Sequence, residues 1–228
     1  MDSINQEIAT LFEYNRSCFD NKPIAFDGVV DEESFNKSQI KTIFLLKEVN
    51  YPDMDTDWTD FMESIREQAF SASIYKTWPN VCLWMEAMKN ENTNYMDCMD
   101  ENGYFDTKKL QKNLLDIGIV NIKKTAGGGS SKYEEIAYAA NKCKDIIKAE
   151  IEDIIKPQLV ICGGTFDFAK TIFEIKNEDI KIFPSGAEYF IHRGIIYLRF
   201  AHPIWYSVNR NILYAYAKTV FPDVKKLL

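Results

Sequence analysis

The residue with the clearest chemical potential in this sequence is one of its two histidines. His202 follows the apolar run 195–198 and precedes Pro203, which would fix the turn behind it. Histidine changes charge most easily near neutral pH, and ligands of α/β sheets bind at the carboxyl ends of the strands. His202 is therefore a candidate site residue, although a His-Pro pair on its own is more often an ordinary turn. His192 precedes a strand-like run and is given no role.

Polar side chains also follow the apolar run 42–46. Glu48 and Asn50 supply a carboxylate and an amide, and Tyr51 stands before Pro52 in a predicted turn. Each has an ordinary structural alternative: Glu48 as an ion-pair partner, Asn50 as a turn former. Asp53, Asp55 and Asp57 continue the segment, but their alternate spacing is weak support for a metal site, and no metal is expected.

The run 117–120 is followed by a third polar segment. Asn121 can both donate and accept hydrogen bonds, so it could read an amide-like edge at a strand tip. Lys123 and Lys124 come next, ahead of the Gly/Ser loop 127–131 with its Ser130 and Ser131. Lysines beside such a loop suit phosphate, because glycines let backbone N–H groups approach an anion. The Walker sequence and the Gly-x-Gly-x-x-Gly pattern are both absent.

Four short apolar runs must position these side chains, and they read as strands buried on both faces. They are 42–46, 117–120, 159–162 and 195–198, and helical patterns cover 4–19, 57–70, 78–89, 107–115, 133–155, 166–175 and 209–220. This alternation predicts an α/β fold of three layers, α/β/α, around a central, mainly parallel four-stranded sheet. We expect one domain over 1–228, with an N-terminal helical extension at 1–40 and a loop or insertion at 90–106.

Composition narrows the function classes. The five cysteines form no Cys-x-x-Cys pair, which argues against a disulfide framework, a structural zinc site or an iron–sulfur cluster. Neither a signal peptide nor a membrane span is expected, so the predicted location is the cytoplasm. The net charge is −7, but residues 1–117 carry 11 Lys and Arg against 22 Asp and Glu, whereas residues 118–228 carry 16 against 12. The second half could present a basic face to nucleic acid.

The order of these segments resembles that of the uracil-DNA glycosylase superfamily over roughly residues 40–222. The segment 118–124 is similar to the family's strand ending in a base-reading Asn, 155–163 to its core strand, and His202-Pro203 to its His-Pro loop. The first motif, 47–52, departs from the family pattern. If Lys47 takes the family's Gly position, Val49 stands where an Asp or Asn would activate water, and Glu48 or Asn50 must substitute.

The resemblance implies a role for each candidate residue. Asn121 would read the Watson–Crick edge of a flipped base, and His202 would donate a hydrogen bond to the leaving base as a neutral imidazole. Glu48 or Asn50 would place the water, and Tyr51, Trp58 and Phe61 would contact the base. The phosphates would be bound by Lys123, Lys124, Ser130, Ser131 and Arg210. The space left by the flipped base would be filled by Ile204, Trp205 or Tyr206.

The expected function is that of a monofunctional DNA glycosylase acting on uracil or another altered pyrimidine. No cofactor is expected, and the expected partner of this monomer is DNA, single- or double-stranded. Excision of a modified phage base in defence is a narrower hypothesis. Two alternatives stay open. The first is a glycosylase-like module that binds nucleic acid or protein without turnover, and the second is a small-molecule nucleoside hydrolase.

Overall fold

One mixed sheet of seven strands organises the part of the chain that the structure describes. The structure is a computed structural model, and it describes residues 3–51, 54–71, 74, 77–128, 130–204 and 207–228. The strands are β1 (Gly28–Val29), β2 (Thr42–Asn50), β3 (Ile117–Gly127), β4 (Leu159–Gly163), β5 (Lys181–Ile182), β6 (Glu188–His192) and β7 (Ile195–Phe200). Their order across the sheet is β1-β3-β2-β4-β7-β6-β5.

Helices fill the connections between the strands. The α-helices are α1 (Ile4–Tyr14), α2 (Glu32–Lys37), α3 (Phe61–Gln68), α4 (Trp78–Lys89), α5 (Thr107–Leu110), α6 (Tyr133–Lys142), α7 (Lys144–Lys148), α8 (Phe166–Ile172) and α9 (Arg210–Lys225). Short 3-10 helices span Arg16–Phe19, Tyr95–Cys98, Gln111–Asp116 and Asn177–Asp179, and a π-helix spans Ala149–Ile155. Among the described helices, none is long and apolar enough to cross a membrane.

The α/β class is confirmed, but the expected four-stranded sheet is too small. The four apolar runs of the sequence lie in β2, β3, β4 and β7, which pair in parallel as β3-β2-β4-β7. The strands β1, β6 and β5 add antiparallel edges to this centre. Two of these edge strands have only two residues each. A pair of residues carries no readable periodicity, so sequence reasoning had no signal for them.

Alternate side chains of the central strands enter two separate apolar cores. Phe44 and Leu46 of β2 face a core shared with α3, α4 and α9. Ile43 and Leu45 face a second core shared with α1, α2, α6, α7 and α8. Both faces of the sheet are therefore covered, and polar groups of these strands can meet a ligand only beyond the ends of the apolar runs.

Several segments differ from the elements that the sequence predicts. Residues 3–40 are not only helical, because they also supply β1, which pairs with β3, and they bury Ile8, Phe12 and Phe35. The pattern 133–155 is not one regular helix: it comprises α6, α7 and the π-helix, which ends at Ile155 and is followed by Lys156 in the left-handed conformation before Pro157. The segment 90–106 holds the 3-10 helix Tyr95–Cys98 and a single β-bridge between Met99 and Phe105.

Candidate functional site

His202 lies just beyond the carboxyl end of β7, with its imidazole in a fixed protonation state. The Ile204 backbone N–H donates a hydrogen bond to His202 Nδ1 at 3.1 Å. A nitrogen that accepts this bond carries no proton, so the neutral ring carries its proton on Nε2. Burial, reinforced by the charge of Lys47, lowers the pKa of His202 to about 4. Near neutral pH, His202 therefore offers an Nε2–H donor and no positive charge.

The ends of β2, β4 and β7 meet around Gly164. A Cβ added at Gly164, where φ is +70°, would lie 3.3 Å from the Cβ of His202. Gly164 lines one cavity of about 170 Å³ together with Lys47 and Ser131. It also lines a second cavity of about 670 Å³, mostly apolar, together with His202 and Tyr216. Lys47, Ser131 and His202 are thus grouped at the carboxyl edge of the parallel strands, where α/β folds bind ligands.

The Glu48 carboxylate is nearly buried and closely packed. Lys123 Nζ donates to its Oε2 at 2.8 Å, and the same ammonium group reaches Glu135 at 2.8 Å. Only 4% of the Glu48 side chain is exposed, and a Cβ added at Gly127 would lie 2.3 Å from its Cδ. Lys123 is therefore an ion-pair partner of two carboxylates. Asn50 lies at the exposed end of β2, opposite Gly127 in register.

Asn121 and Lys124 belong to a buried polar network that the sequence did not reveal. Asp27 Oδ2 accepts from the Asn121 backbone N–H at 2.5 Å and from its Nδ2 at 3.2 Å. Lys124 Nζ bonds Asp27 Oδ1 at 2.7 Å and Glu150 Oε2 at 2.6 Å, and all three charged side chains are fully buried. It also lies over the ring of Phe12, 4.8 Å from the ring centroid.

Two expectations are corrected by this network. Asn121 does not end its strand, because β3 continues to Gly127, and its amide is already bonded to Asp27. Lys124 cannot bind a DNA phosphate, because its ammonium group is enclosed by two carboxylates and is closed to solvent. Alternation explains the error: Ile122 and Lys124 share one face of β3, and that face stays buried after the apolar run ends.

The three aromatic residues expected to contact a base do come together. The ring centroids of Tyr51 and Trp58 lie 5.2 Å apart, and those of Trp58 and Phe61 lie 4.7 Å apart. Tyr51 is 48% exposed, Trp58 is half-buried and Phe61 is buried in the core. Tyr51 and Trp58 line a cavity of about 500 Å³ whose wall also includes Asp57. An aromatic surface of this kind can stack on a base.

The other residues expected to contact DNA differ in their exposure to solvent. Ser130 and Arg210 are exposed, and Arg210 has no ion-pair partner within the described ranges. Ser131 and Ile204 are half-buried. Trp205 and Tyr206, expected to fill the space of a flipped base, lie outside the described residues.

Lys47 is the site residue to which sequence reasoning gave no role. Along β2, Lys47 lies on the same face of the strand as Ile43 and Leu45, and Leu45, two residues earlier, is buried. A charged residue that continues an apolar alternation at a strand end was the signal that could have identified it. Asp27 and Glu150 had no comparable signal, because nothing in their local sequence indicates burial.

No protein-family model, curated protein or solved structure matches the chain. Across the residues that the structure describes, no group of three or more His, Cys, Asp or Glu side chains is placed to hold a metal ion. Function is therefore inferred from the chemistry of the grouped side chains.

Proposed function

We propose that this protein is a DNA glycosylase that hydrolyses the N-glycosidic bond of a flipped-out uracil or another altered pyrimidine. One observation carries the proposal: His202 is held neutral, with Nε2–H as its donor, at the carboxyl edge of the parallel strands. Breaking the C1′–N bond places negative charge on the departing base. A fixed donor stabilises that charge without first having to lose a proton or reorient.

Glu48 supplies the negative charge that the sugar needs as the base departs. The sugar becomes oxocarbenium-like as the base departs, and a carboxylate can stabilise that cation and position water. The carboxylate of Glu48 is fixed by Lys123 and by close packing on Gly127. Asn50 is the second candidate for placing water, and its position at the exposed end of β2 leaves it accessible.

Recognition of the base would fall to the aromatic pair of Tyr51 and Trp58. Tyr51 and Trp58 could stack on a flipped ring beside their cavity. The order of motifs that resembles the uracil-DNA glycosylase superfamily supports the same assignment. Excision of a modified phage base would be a special case of this activity.

Base release from defined DNA tests the proposal. Single-stranded and duplex oligonucleotides that carry uracil or a phage-type modified pyrimidine would be incubated with the protein, and abasic sites would be counted by alkaline cleavage. We expect release that falls by about a hundredfold or more in His202→Ala and in Glu48→Gln or Asn50→Ala. His192→Gln is the matched control, because it removes the other histidine.

The binding module is the competing function, and the same variants separate it from an enzyme. A module would retain DNA binding and release no base from any substrate. Release that persists unchanged in His202→Ala would contradict the role given to its Nε2–H, even if the chain proved to be a glycosylase.

A further inference from the structure

Among the described residues, Lys47 differs from Lys123 and Lys124 in having no carboxylate partner. Lys123 and Lys124 each bond two carboxylates. Lys47 lies at the same end of the sheet, half-buried, and forms no ion pair with any residue in the described part of the chain. A partly desolvated cation without a partner favours an anion in the space beside it.

The cavity beside Lys47 is small, and the other charged side chain in its wall, Asp167, already has a partner. The cavity of about 170 Å³ is bounded by Lys47, Ser131, Gly164 and Asp167, among others. Asp167 is the acidic side chain of this group, and Arg199 binds both of its carboxylate oxygens, at 2.8 and 3.0 Å. The cavity therefore keeps the positive charge of Lys47, with the Ser131 hydroxyl as a further donor.

His202 adds no charge to this region and lies next to it. Gly164 forms part of the wall of the Lys47 cavity and lies in near contact with His202. An anion at Lys47 and a neutral group at His202 would thus bind side by side. A nucleotide unit, with its phosphate and its uncharged base, presents this pair of chemistries.

We propose that Lys47 and Ser131 bind a phosphate of the DNA strand adjacent to the nucleotide whose base reaches His202. This inference rests on the proposed function for the identity of the neighbouring base. It assigns to Lys47 the phosphate contact that the sequence suggested for Lys124. The phosphate of a free nucleotide has the same chemistry, so the experiment must separate the two sources.

Binding without turnover tests the phosphate contact. The probe is a short oligonucleotide with a stable tetrahydrofuran abasic site, and its affinity is measured by fluorescence anisotropy over a range of salt concentrations. We expect Lys47→Gln to weaken binding about tenfold and to reduce the slope of log K against log salt by about one. Lys47→Arg keeps the cation and should retain the slope.

Lys181→Gln is the matched control. Lys181 is an exposed lysine on the edge strand β5, without an ion-pair partner among the described residues, and we expect it to leave the salt slope unchanged. If Lys47→Gln binds with the affinity and salt slope of the wild type, the phosphate contact is wrong. The folded state of each variant would be checked by its urea unfolding midpoint. If Lys47→Gln does not fold, neutralising the adjacent phosphodiester on the probe tests the contact with the wild-type protein.

Two further probes identify the source of the phosphate. Methylphosphonate substitution of the phosphodiester on one side of the abasic site should weaken wild-type binding and have no effect in Lys47→Gln. If a deoxynucleoside monophosphate binds in a Lys47-dependent way while the oligonucleotide does not, the site serves free nucleotides and the strand contact is refuted. Because none of these measurements needs base release, Lys47-dependent binding by a chain that excises nothing would refute only the proposed glycosylase activity.

Discussion

His202 and Ile204 are joined by a hydrogen bond in which the ring nitrogen Nδ1 accepts from the backbone N–H at 3.1 Å. The two residues enclose Pro203, which is buried and restricts the backbone between them. A two-residue turn therefore fixes the tautomer of the histidine before any ligand arrives. This is the physical basis for assigning His202 the role of hydrogen-bond donor.

The first prediction concerns the protonation of His202. Its folded-state pKa is lowered to about 4 by burial and then by Lys47, whereas an unfolded histidine titrates near 6.5. The unfolded chain thus binds the extra proton first as pH falls. The stability from this group is complete above about pH 6.5 and is lost as pH falls toward about 4, by at most about 3 kcal/mol.

Imidazole nitrogen NMR over pH 3–8 would measure this directly. We expect the His202 ring to remain an Nε2–H tautomer down to about pH 5. His192→Gln removes the only other histidine and makes the signal unambiguous. A His202 titration centred near pH 6.5 would contradict the lowered pKa and the neutral imidazole.

The second prediction concerns the buried charges of β3. Lys124→Met leaves Asp27 and Glu150 facing each other without a cation, and we expect the free energy of unfolding to fall by about 3–5 kcal/mol. Burial, and then the charge of Asp27, already raises the pKa of Glu150 well above its ordinary value. Urea unfolding monitored by circular dichroism gives the measurement.

Lys123→Met is the comparison for this loss, because Lys123 also has two carboxylate partners but is partly exposed. The unfolding free energy of Lys123→Met should fall by less than that of Lys124→Met, because Lys123 and its second partner, Glu135, are partly exposed. If Lys124→Met instead kept wild-type stability and lost DNA affinity, Lys124 would be a nucleic-acid contact and its buried position would be wrong.

The third prediction tests the position of Glu48 without changing Glu48 itself. A methyl group at Gly127 would lie 2.3 Å from Glu48 Cδ, so Gly127→Ala must displace that carboxylate. We expect base release to fall by about a hundredfold, because a displaced carboxylate no longer positions water. Gly128→Ala is the control, since an added Cβ there meets nothing within 4 Å. Equal release rates in the two variants would remove Glu48 from the proposed chemistry.

Local periodicity in the sequence predicts the central strands and several of the helices that carry the site. The run 78–89 predicts α4 to the residue, whereas the pattern 107–115 is α-helical only as far as Leu110 and continues as a 3-10 helix. The partners of Lys124 were not readable, because Asp27 and Glu150 are 97 and 26 residues away from it. Pairings of this kind are set by tertiary packing, so charged positions after an apolar strand were wrongly assumed to face solvent.

The fourth prediction uses two glycines to separate backbone strain from an effect on His202. Gly164 and Gly186 both adopt positive φ, +70° and +86°, so an alanine at either position should cost about 1–2 kcal/mol of stability. Only at Gly164 would the new methyl group press on the Cβ of His202, at 3.3 Å; at Gly186 it would meet nothing within 4 Å. We therefore expect matched losses in unfolding free energy, with a large fall in base release for Gly164→Ala alone. A Gly186→Ala variant that lost base release to the same degree would mean that backbone strain, and not the position of His202, limits the reaction.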